Sequence, residues 1–193
     1  EKMSKSLGNI LLVRDLLAQA PGEVIRLALL QTHYRQPLLW HANDNIDAAK
    51  HALDRLYRIL EKIKDKPSEW GWSDVPEPIK QALCDDYNTP LALTHWQALC
   101  KQLQAQEQIE SEQLKALLAV NDFLGIGQQD SQQWFQQSNK SALTKEAIDE
   151  LIAERNQARS QRDFARADAI RSQLAEQGVS IEDTGGQTTW RFD

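Results

Sequence analysis

The chain has 193 residues, a formal net charge of −6 and 41% hydrophobic residues, enough for a packed core in one large domain or two small ones. That acidic balance excludes a uniformly basic nucleic-acid coat, although a local basic face is all that RNA binding needs. Cys84 and Cys100 have no CxxC spacing and no paired histidines nearby, so they read as small core residues in a reducing compartment, and no metal ligand is expected. Without a leader or an apolar run of about 18 residues, a cytoplasmic protein with no membrane partner is expected.

The chain opens Glu1-Lys2-Met3-Ser4-Lys5-Ser6-Leu7-Gly8-Asn9. Lysine ammonium groups on flexible stems suit a polyphosphate whose charge shifts during reaction, serine hydroxyls add donors, and Gly8-Asn9 tolerates a turn. The pentapeptide Lys2 to Ser6, KMSKS, resembles the nucleotide loop of class I aminoacyl-tRNA synthetases. That resemblance implies that Lys5, seconded by Lys2, contacts ATP (with Mg2+) during adenylate formation, with Ser4 and Ser6 beside them. A phosphate loop at residue 2 has no scaffold before it. The expectation is the back half of a larger enzyme, with residues 1–13 a remnant of its catalytic domain.

Residues 14–127 read as a helical bundle. A short helix is expected to about Gln19 and a second from Pro21 to Thr32, since proline is tolerated in a first turn. Glu23-Val24-Ile25-Arg26-Leu27 resembles the DALR-type helix of class I synthetases, and Arg26 could equally be a surface ion-pair residue. The longest helix is predicted over 43–64. There Ile46, Ala49, Leu53, Leu56, Leu60 and Ile63 form one stripe, and Asn43 suits the N-cap. A loop with Pro67, Gly71, Pro76 and Pro78 follows, its Trp70 and Trp72 covering the bundle end. Helices are then expected over 77–87, from Thr89-Pro90 to Gln104, and over 111–123. Six glutamines without apolar periodicity mark 128–143 as a linker.

Residues 144–193 change character. Helices predicted over 144–160 and 163–177 join at Gln161-Arg162, with Asp163 as cap and Gly178 as stop. Val179 to Glu182 and Thr188 to Phe192 flank Gly185-Gly186 as a β-hairpin. The fold class is mainly α: a bundle, then a small α-hairpin plus β-hairpin unit. Residues 155–171 hold five arginines against two aspartates, a local charge of +3 in an acidic chain. They suit RNA phosphates or a solvated face with internal ion pairs.

Four segments together resemble cysteinyl-tRNA synthetase, in its half from the nucleotide loop onward: His33-Tyr34-Arg35-Gln36-Pro37-Leu38; Asp85-Asp86-Tyr87-Asn88-Thr89-Pro90; the Arg155 to Arg171 run; and Gly178 through Trp190. The resemblance implies cysteine activation by ATP and transfer to tRNA(Cys), with 144–193 reading the anticodon. Zinc is then expected only in the part before this chain, the chain alone inactive, and a monomer. His33-Tyr34-Arg35 either closes a helix or acts beside the active site or acceptor stem. Asp85 to Asn88 reads as a helix end and cap rather than a metal site.

Arg159, Asp168, Asp183, Arg155, Arg162 and Trp190 are the candidate tRNA-binding residues. Asp183 is favoured as a specificity contact, because a carboxylate facing RNA must accept a base proton; Asp168 is open between that and pairing with arginine. Trp190 is either a stacking plane or core, with core favoured. Two rival readings are a cysteine-activating paralogue that acts on an amino-sugar, against which 144–193 speaks, and a helical interaction module without an RNA role.

Overall fold

The computed structural model describes residues 10–63, 65–136, 143–184 and 187–192. The chain divides into two compact units, 1–128 and 129–193.

The first unit is helical. It contains α1 (Val13–Leu17), α2 (Gly22–Leu30), α3 (Ala42–Glu61), α4 (Glu77–Cys84), α5 (Thr89–Gln104) and α6 (Ser111–Leu124), with a 3-10 turn at Trp72–Asp74. Of the apolar residues 10–13 only Val13 is helical, with Leu12 the N-cap of α1, and Pro21 is the N-cap of α2 rather than a residue inside it. The long central helix α3 packs on α2 and α5. Its expected stripe is present, with Ala49, Leu53, Leu56 and Leu60 buried, but Ala52, Tyr57 and Ile59 are buried too. A helix packed by neighbours on two sides needs an apolar face wider than one stripe. Asn43 does not cap it: the N-cap is His41, whose N–H is met by Asn45 Oδ1 at 2.7 Å.

α4 ends three residues before its expected limit because Asp86 and Tyr87 take left-handed backbone, at φ +51° and +52°. Asn88, not Thr89, caps α5 by accepting the Leu91 N–H at 3.2 Å, which puts Pro90 in the first turn. The proline loop is tied to α6 through Trp70 Nε1, which donates to Asp122 Oδ2, and through Trp72, whose ring meets Phe123 at 5.0 Å.

The second unit contains α7 (Ser131–Gln136), α8 (Lys145–Ser160), α9 (Phe164–Glu176) and the antiparallel strands β1 (Val179–Thr184) and β2 (Gln187–Phe192). α7 lies inside the stretch expected to be a linker. Its Trp134 and Phe135 are buried and the helix packs on β2, so two aromatics outweigh a glutamine-rich composition. Thr144 caps α8 and Asp163 caps α9. Gly178, at φ +71°, turns the chain from α9 into β1. The core joins Ile148 and Ile152 of α8, Ile170 and Leu174 of α9, and Val179, Trp190 and Phe192 of the hairpin.

Candidate nucleic-acid interface

The α8–α9 hairpin closes tightly. Arg162 is left-handed at φ +62°, and buried Ala158 and Ala167 bring no bulk to the helix contact near the turn. The hairpin register then decides what meets α8. Val179 pairs with Phe192, Ile181 with Trp190 and Asp183 with Thr188, so alternation puts Asp183 on the same strand face as the core residues. At that end of the sheet the partner is polar: Arg155 of α8, itself only 6% exposed.

Asp183 is the centre of a charged cluster. Its Oδ1 accepts from Arg155 Nη1 at 3.1 Å and from the Thr188 hydroxyl at 2.7 Å, and its Oδ2 accepts from Arg155 Nη2 and Arg159 Nη1, each at 2.7 Å. These hydrogen bonds, led by those from Arg155 and Thr188, hold the Asp183 carboxyl far below the usual carboxylate range, and Asp183 in turn raises the pKa of Arg155. A carboxylate has about four lone-pair sites, so all of them are engaged.

The expected roles are redistributed by this geometry. Asp183, favoured as a base contact, is the internal partner of two arginines, and Arg155 is buried in that pair. Trp190 is core: it is 5% exposed, meets Phe192 edge-on at 5.3 Å, and donates its indole N–H to Asp149 Oδ1 at 2.7 Å. Its faces are spent on packing, which leaves no plane for a base. Arg166 pairs with Glu154 at 2.7 Å and Arg191 with Glu182 at 2.9 Å.

Four exposed side chains remain around the turn and along α9. Arg159 uses one nitrogen on Asp183 and keeps the rest of its guanidinium open. The side chains of Arg162, Asp168 and Arg171 are exposed and, among the described residues, have no hydrogen bond or ion pair, although the charge of Asp168 reaches Arg155 and adds to the rise in its pKa. Beside them Phe164, the first residue of α9, is 62% exposed, an apolar plane that the core does not use. Sequence reasoning carried Phe164 only within the Arg155 to Arg171 resemblance and gave it no site role. The signal was its place directly after a capping aspartate, where the helix has no earlier turn to cover it.

Residues 142–191 match the family described as cysteinyl-tRNA ligase anticodon binding domain, and residues 1–51 match the catalytic domain of class I (C) tRNA synthetases. Among curated relatives the chain is similar to cysteine–tRNA ligases of Parvibaculum lavamentivorans (46% identity, 99% of this chain, 41% of the relative) and Paramagnetospirillum magneticum (45%, 99% and 42%). That of Rhodospirillum rubrum is 46% identical over 99% of this chain and 42% of its own length. Over the part it spans, the chain is similar from end to end to cysteine–tRNA ligases. It spans about two fifths of the length of these relatives.

Within that family match, the anticodon-binding region takes in α8, α9 and nearly all of the β-hairpin, and so includes the arginine cluster and Phe164. The KMSKS residues Lys2, Ser4, Lys5 and Ser6 fall in the catalytic-domain match but outside the described residues. Asp85 to Asn88 forms a helix end and cap. There Asp86 accepts the Tyr34 hydroxyl at 2.5 Å and the Arg35 guanidinium through both carboxylate oxygens, at 2.5 and 3.0 Å. That fastens the His33-Tyr34-Arg35 turn to the α4–α5 turn. No helix among the described residues is long and apolar enough to cross a membrane.

Proposed function

We propose that this chain is the RNA-reading part of a cytoplasmic cysteine–tRNA ligase, which activates cysteine with ATP and transfers it to tRNA(Cys). The observation that carries the reading is the uncommitted cluster at the α8–α9 turn, in the region similar to an anticodon-binding domain. Arg159 and Arg162 offer guanidinium groups for phosphate or base edges, Asp168 an acceptor for a base amino or imino proton, and Phe164 a plane for an unstacked base. Asp183 and Arg155 serve by holding Arg159 in place. Lys5 and Lys2 meet the ATP phosphates in the complete enzyme, where lysine charge opposes the charge that builds up on the departing pyrophosphate.

The amino-sugar reading is disfavoured by the match of 142–191 to an anticodon-binding family. The test uses the complete enzyme with wild-type and anticodon-mutated tRNA. Arg159→Ala and Phe164→Ala should each lower charging of wild-type tRNA by about tenfold or more, as loss of one stacked base or one charged contact requires, with cysteine-dependent pyrophosphate exchange intact. Unchanged discrimination between the two tRNAs in both variants would remove the assignment.

A further inference from the structure

Two polar side chains of α2 reach the turn through which the chain leaves the bundle. Glu23, in the first turn of α2, accepts from three donors. The buried Tyr57 hydroxyl (2.7 Å) and the Gly127 N–H (3.2 Å) meet its Oε2, and the Gln128 N–H (3.0 Å) meets its Oε1. One helical turn on, Arg26 Nε donates to the Leu124 carbonyl at 2.5 Å, one of the acceptors that the end of α6 would otherwise leave open. The exit turn is held on its other sides as well. Gly125 and Gly127 are left-handed, and a Cβ on Gly127 would lie 2.9 Å from Leu56. Ile126 is fully buried, and its N–H donates to the Asn121 carbonyl at 2.9 Å. Gln128 Nε2 donates to Asp122 Oδ1 at 3.0 Å.

This is more restraint than ending a helix needs, since a left-handed glycine alone suffices for that. Its placement gives it a use. α2 lies in the span that matches a synthetase catalytic domain, and the backbone beyond Gln128 runs on to the span that matches an anticodon-binding domain.

We infer that Glu23, assisted by Arg26, is a positioning residue for the tRNA-dependent step: it locks the exit turn and so fixes the direction in which the backbone sets out from the bundle. The inference rests on the proposed function. A loose turn would leave the backbone at Gly127 and Gln128 with many conformations, and that freedom would have to be surrendered at each RNA encounter. The carboxylate is specific to the task because both oxygens accept. A glutamine of the same size presents one acceptor and one amide donor, so an N–H at the turn loses its partner.

The test is made in the complete enzyme. Glu23→Gln should raise KM for tRNA by about tenfold, the scale of one lost charge-assisted hydrogen bond, while kcat and cysteine-dependent pyrophosphate exchange stay within about twofold. Deleting 129–193 separates the two claims. If the deletion leaves charging unchanged, the proposed function fails; if charging collapses but Glu23→Gln leaves KM unmoved, the positioning role fails. Should Glu23→Gln not fold, a Gly-Gly insertion between Gln128 and Gln129 loosens the same exit without touching the bundle. The insertion should raise KM equally, and Arg26→Gln added to it should change nothing more. An insertion without effect, or an additive loss from Arg26→Gln, would overturn the inference.

Discussion

Replacing Asp183 by alanine should loosen the C-terminal unit by an amount that the structure sets. The substitution removes four hydrogen bonds, two of them to the Arg155 guanidinium, which is 6% exposed and would keep only the Asn156 side chain at 3.3 Å and the unbonded charge of Asp168. Stranding one partner of a fully buried pair costs about 3–5 kcal/mol. The Asp183 side chain is 37% exposed, so water reaches its end of the pair and the cost must be discounted. About 2 kcal/mol remains, which corresponds to roughly thirtyfold faster opening of the hairpin. Amide hydrogen exchange across 179–192 in the whole chain reads this directly, because exchange there proceeds through local opening. Arg159→Ala is the control. That pair is exposed on both sides, and its loss should change exchange by no more than about fivefold. If Asp183→Ala changes exchange less than about threefold, the cluster is not what holds the hairpin on α8.

The Tyr34–Arg35–Asp86 contact should be sensitive to acid. Hydrogen bonds from Arg35, then from Tyr34, lower the Asp86 carboxyl to about 2. A depressed carboxylate stabilises at pH above the free value of about 4, and the contact is lost as pH falls through about 2. The NMR shift of the Arg35 Nε–H should follow that low midpoint, and a midpoint near 4 would contradict the contact. The two cysteines should separate under a thiol reagent at pH 8. Exposed Cys84 reacts in the folded chain, whereas Cys100 is buried, with its thiol pushed up to about 12 by desolvation, and reacts only on unfolding. Mass spectrometry of the labelled peptides checks this, and prompt labelling of Cys100 would refute its burial.

Helix positions were legible where local chemistry acts alone. The span of α5 (though not its cap), the cap Asp163 and the stop at Gly178 follow from residue types within a turn of each other. Three features were not legible, each for a tertiary reason. The glutamines of 128–143 conceal α7 because Trp134 and Phe135 gain their partner only when β2 folds beneath them. Asp183 read as a base contact because nothing local says that alternation turns it toward Arg155, 28 residues away in sequence. Phe164 was given no role of its own because nothing local says that the fold leaves its ring outside the core. The reactive surface of the unit is therefore what remains after internal pairing has used Arg155, Arg166 and Trp190, and that subtraction needs coordinates.

α7 has a practical consequence for dissecting the protein. Similarity to the anticodon-binding family begins at residue 142, and a truncation drawn there would look natural. It would also remove the helix that packs on β2, along with the Gln136 amide that donates to the Trp190 carbonyl at 3.4 Å. A two-stranded ribbon stripped of that cover presents apolar surface and unpaired strand edges to its neighbours in solution. A piece starting at 143 should self-associate, whereas one starting at 129 carries its own cover.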